Sequence, residues 1–139
     1  LSSWGTTPRQ SISAYVAAHG AERFVAGCLV LLDDGDDPEL VAALAGPAAT
    51  GFADDDARYW PRVWALRGLR WQWAERAAPA VVAALRDEHW RVREMAARVC
   101  GAHLVGEALP ALVALAGDPV PRVVAASGSA VRRIVGAGA

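Results

Sequence analysis

The chain matches itself when shifted by 31 residues: Asp56 falls on Asp87, and Asp87 falls on Asp118. Within that register Arg62 meets Arg93, Ala65 meets Ala96 and Arg67 meets Arg98. Further on, Ala77 meets Ala108, Pro79 meets Pro110 and Val82 meets Val113. A period of this length marks a stack of similar supersecondary units, each too small to bury its own apolar face. It therefore excludes most globular topologies before any other feature is considered.

The 139 residues suit a single domain, 1–139, that buries its core without a disulfide or metal staple. Hydrophobic residues make up 54% of the chain, much of it Ala, which favours helices packed closely together. No run of about 18 apolar residues lacks a charge or turn signal, so no membrane span is expected. Residues 1–10 are polar and turn-like and do not read as a signal peptide. The chain begins at Leu1 rather than Met, which suits a piece of a longer protein. Cys28 and Cys100 sit 72 positions apart inside apolar patterns and read as buried thiols of a cytoplasmic protein.

The net charge of −1 hides an asymmetry. Residues 1–57 carry two Arg and nine acids, or −7, whereas residues 58–139 carry twelve Arg and six acids, or +6. The molecule is polarised along its sequence, which leaves self-association of the two halves open.

The helical pattern predicts helices over 12–19, capped by Ser11, and over 22–32, which has almost no polar face. A turn at 33–37 leads to a helix over 38–45. Residues 47–56 read as an insertion that shifts the register before the regular part begins. Helices are then expected over 58–73, 77–86, 88 or 89 to 104, 108–116, and 119 or 121 to 135, with the last residues frayed.

Pro79, Asp87, Val92 and Arg93 form one complete copy of a pattern, with Pro eight residues before Asp and Val-Arg five and six after it. The chain resembles the HEAT repeat family, particularly its short bacterial form. The resemblance implies an all-α fold, an α-solenoid of antiparallel helix pairs whose second helices line the concave side. Three regular pairs over 38–73, 74–104 and 105–135 would follow an N-terminal helical cap over 11–37. Asp56, Arg62, Asp87, Arg93 and Asp118 are expected to form a polar ladder between turns. Val124 stands where the next ladder Arg would be, so the ladder ends there.

Trp60, Trp64, Arg67 and Trp71 fall at i, i+4, i+7 and i+11, one stripe of one helix. The register places Arg91, Met95 and Arg98 on the equivalent stripe of the next repeat, and Arg122 on the one after. Aromatics beside arginines are the residue types that binding surfaces use. Trp60, Trp64, Arg67, Trp71, Arg91 and Arg98 are therefore the candidate partner-binding residues, against the plainer reading that the tryptophans pack on the N-terminal helices. The acidic runs at 33–37 and 54–56 read as solvated caps, because their spacing is not that of a calcium loop. His19, His89 and His103 are scattered and form no zinc pattern. No nucleophile elbow, phosphate loop or dinucleotide fingerprint is present.

These features favour a non-catalytic scaffold that binds a protein or peptide, with no cofactor and no metal. One alternative is a nucleic-acid-binding or DNA-repair-type protein with an Arg/Trp groove, for which Glu94 is the one candidate acid. The other is an accessory subunit for cofactor attachment or enzyme maturation.

Overall fold

A computed structural model describes residues 7–45 and 58–138. Asp56, the first residue of the expected ladder, lies outside the described residues, as does the insertion at 47–56. Among the described residues all regular structure is helical: α1 Pro8–His19, α2 Ala21–Leu32, α3 Pro38–Ala45, α4 Trp60–Trp71, α5 Ala78–Ala84, α6 Trp90–Ala102, α7 Leu109–Ala114 and α8 Pro121–Gly138. No single helix among them is long and apolar enough to cross a membrane. The chain divides into two compact units, residues 1–72 and 73–139.

In the first unit α1 packs on α3 and α2 packs on α4, so one helix pair is stacked on the next. The N-terminal segment thus stacks as a pair of its own. Its first helix starts four residues earlier than the expected 12–19. Thr7, not Ser11, is the N-cap: Thr7 Oγ1 accepts from the Gln10 N–H at 3.1 Å and Gln10 Oε1 accepts from the Thr7 N–H at 3.2 Å. Pro8 then supplies the first helical φ without losing a needed donor. Ser11 lies inside the helix and is buried. Tyr15, Phe24, Leu31, Leu40, Leu44, Leu66 and Leu69 fill the core of this unit. Gly68 is what lets α4 sit so close to its neighbours. A Cβ there would stand 2.8 Å from both Leu44 Cδ2 and Phe24 Cζ.

In the second unit α5 packs on α6, α7 on α8, and α6 on α8. Val81, Leu85, Val92, Ala96, Val99, Leu112 and Val123 are fully buried between them. The first helices of these pairs are shorter than expected, each preceded by a 3₁₀ turn, Glu75–Ala77 before α5 and Gly106–Ala108 before α7. The last helix is longer than expected and runs to Gly138, four residues past its last buried side chain, Ile134. Once Ile134 is seated, each further residue adds a backbone hydrogen bond without a new nucleation cost.

The 31-residue register is visible in the turns of this unit. Asp87 Oδ1 accepts from the His89 N–H, and Asp118 Oδ1 accepts from the Val120 N–H, both at 2.9 Å. Each Asp shapes the turn two residues ahead. At α6 the helix cap itself is His89, whose Nδ1 accepts from the Arg91 N–H at 3.1 Å.

Candidate functional site

The ladder arginines occupy two different arrangements. In the second unit Arg93 donates from Nε to Asp118 Oδ2 at 2.7 Å and from Nη2 to Asp118 Oδ1 at 3.2 Å. Its Nη1 donates to the backbone carbonyls of Asp87 and Glu88. One guanidinium thus ties the turn before α6 to the turn before α8. In the first unit Arg62, at the same register position, donates to Asp34 Oδ1 at 2.8 Å, in the turn between α2 and α3. Asp37 in that turn caps α3 through the Leu40 N–H and meets Arg23 Nη2 at 2.8 Å. The acidic run at 33–37 is therefore partly engaged as caps and ion pairs.

The Trp-Arg stripe of α4 is split by depth. Trp64 is only 5% exposed and belongs to the core, contrary to its expected place in a contact surface. The ring of Trp60 is stacked on it at 6.1 Å and is half-buried. Trp64 sits one residue from Val63 and Ala65, also buried, so the apolar arc of α4 is wider than one stripe. Trp71, at the end of the helix, is 37% exposed. Two guanidiniums lie against its ring, Arg67 at 5.8 Å and Arg9 at 6.0 Å. Arg67 is half-buried and donates from Nη2 to the Leu44 carbonyl at 2.8 Å, in the last turn of α3 where helix carbonyls lack partners. Its buried Nε has no hydrogen-bond partner among the described residues. Desolvation pulls its pKa below the usual arginine value, yet an arginine stays cationic at neutral pH.

Beside Trp71 lies an open cleft of about 310 Å³, lined by Arg9, Ile12, Val16 and Ala17 of α1 together with Trp71 and Gln72. Arg9 lies in the stretch 1–10 whose composition is turn-like, yet it stands on α1. The pattern Thr7-Pro8-Arg9-Gln10, a capping box with Pro at N1, is the signal that places it on a helix.

In the second unit Arg91 and Arg98 sit on α6, half-buried and exposed respectively. Arg91 lies 4.5 Å from the ring of Trp90, and Arg122 from α8 lies 5.2 Å from the same ring. Arg98 Nη2 and Arg122 Nε both donate to Oε2 of the buried Glu94, at 3.3 and 2.9 Å. Trp90 was not among the expected contact residues, although its place beside Arg91 at a helix start was visible.

Cys28 and Cys100 are free thiols. Burial pushes both up, Cys100 to about 12, so neither is a thiolate at neutral pH. Among the described residues no group of three His, Cys, Asp or Glu is placed to hold a metal ion.

Stacked antiparallel helix pairs with a regular register define a helical-repeat protein of the α-solenoid class. A family model of HEAT repeats matches residues 47–132, more than half of the chain, and the chain belongs to the HEAT repeat family. HEAT repeats are generally non-enzymatic and are commonly protein-interaction scaffolds. No match was found among curated proteins or among solved structures.

Proposed function

We propose that this chain is a non-catalytic interaction module that binds partner proteins through the second helices of its repeats. Each unit carries its own patch: Trp60, Arg67 and Trp71 on α4 in the first, and Arg91 and Arg98 on α6 in the second. Trp64 supports the first patch from below. The observation that carries the reading is Trp71, exposed at the rim of a cleft and flanked by two guanidiniums. Trp and Arg dominate binding hot spots because each couples a large contact area to directional donors. Here both types are held by the fold before a partner arrives, which lowers the ordering cost of binding.

The test is selection of binders from a random peptide display library. A shared sequence motif should emerge, and its affinity should fall at least ~10-fold for Trp71→Ala or Arg91→Ala, the usual scale of a hot-spot truncation. Both variants should melt like the parent. A library that yields no motif, or a motif indifferent to both substitutions, would reject the proposal.

A further inference from the structure

Glu94 takes no part in that reading, and it is the least expected residue of the second unit. Burying a carboxylate to 7% exposure is costly unless charge and hydrogen-bond partners surround it. It is paired twice, with Arg98 and Arg122 sharing one of its oxygens. Arg122 and Arg91 also converge on the Trp90 ring. Three guanidiniums therefore surround one carboxylate and one indole, a local surplus of two positive charges. The pairs are not closed to solvent, since the side chains of Arg98 and Arg122 are 47% and 60% exposed. A guanidinium has five N–H donors, so giving one to Glu94 leaves the others for a ligand.

From this arrangement we infer that Trp90, Arg91, Arg98 and Arg122, organised by Glu94, form a docking face for an acidic, carboxylate-rich segment of the partner. The inference rests on the protein-binding reading above and names the feature of the partner that is recognised. Glu94 acts as a positioning residue. It draws Arg98 from α6 and Arg122 from α8 to one point, so that one side chain of the partner can bridge them with paired hydrogen bonds. Trp90 offers an apolar ring beside the charges, which suits a polypeptide better than a free ion.

Charge complementarity also separates an acidic peptide from nucleic acid. Polyanion affinity comes from neutralising many phosphates at once. Here a fixed carboxylate stands among the arginines, the surplus is two, and the whole chain carries −1. That balance matches a few spaced carboxylates, not a continuous phosphate backbone.

The experiment is fluorescence anisotropy with three labelled probes: a Glu-rich peptide, the same peptide with Gln for Glu, and a single-stranded DNA of equal length. The Glu peptide should bind at least ~10-fold tighter than the Gln peptide, about the worth of one charge-assisted contact. It should also bind tighter than the DNA. Arg122→Gln and Arg98→Gln should each lower that affinity by roughly 5- to 10-fold. Arg86→Gln, an exposed arginine outside the cluster, should leave it unchanged. Equal binding of the Gln peptide, tighter binding of DNA, or an Arg122→Gln variant indistinguishable from Arg86→Gln would overturn the inference. A display motif without Asp or Glu that still depends on Trp71 would remove this inference and leave the interaction module standing.

Discussion

Arg93 holds both carboxylate oxygens of Asp118, Nε on Oδ2 and Nη2 on Oδ1, across 25 residues of sequence. Both side chains are largely buried, and the same arginine also binds two carbonyls of the turn before α6. The paired fork explains why Arg, and not Lys, suits this position: only a planar guanidinium reaches all these acceptors together. Asp118→Asn should cost about 2 kcal/mol, the scale of a hydrogen bond to a charged group. Arg93→Lys should cost a comparable amount. Urea unfolding at neutral pH measures both.

The same pair gives the chain a pH dependence of known sign. Desolvation raises the Asp118 pKa, but the Arg93 hydrogen bonds, the Val120 N–H and the Arg93 charge outweigh it, and the net shift is downward. A group depressed in the folded state contributes stability that is fully present above its unfolded value, near ~3.9. The contribution is lost as pH falls through the lower folded value. The gap in urea midpoint between the parent and Asp118→Asn should therefore be widest at neutral pH. It should narrow steadily below about pH 4. A gap that widens on acidification would contradict this account.

Glycines in the second helices are not equivalent. Gly68→Ala must push its Cβ against Leu44 and Phe24, both fully buried. Overpacking of this kind costs about 1–3 kcal/mol, more than the roughly 1 kcal/mol of helix propensity that Ala returns. Gly128, on α8, would place its Cβ no closer than 3.5 Å to Arg132. Gly128→Ala should therefore stabilise by up to ~1 kcal/mol. Thermal melts of the two variants should move in opposite directions.

The 31-residue register was enough to read helix pairs and their order, because repetition reports packing that recurs. The start of α1 lies outside that register and rested on the choice of a local cap: Ser11 stands where a cap could be, but the capping box is Thr7 with Gln10 and begins the helix four residues earlier. The register also could not grade the α4 stripe by depth. Trp60, Trp64 and Trp71 differ little in a helical projection. What buries Trp64 and leaves Trp71 open is where each lies along the helix axis relative to its neighbours. Glu94 was harder still. Its partners come from two helices and a register in which the equivalent residue is Ala125, so the repeat carries no sign of it.

Depth along α4 gives the last prediction, which separates a structural tryptophan from a contact one. Trp64 is core, and Trp64→Ala should cost about 3–5 kcal/mol through lost burial and the cavity left behind. Trp71 has more than a third of its surface in water, and its neighbours are cations that can rehydrate when the ring is removed. Trp71→Ala should cost less than about 1 kcal/mol, as surface substitutions usually do. Chemical denaturation of the two variants beside the parent checks the contrast. Comparable losses would mean that Trp71 is held as part of the core, and the patch on α4 would then have no exposed anchor to offer a partner.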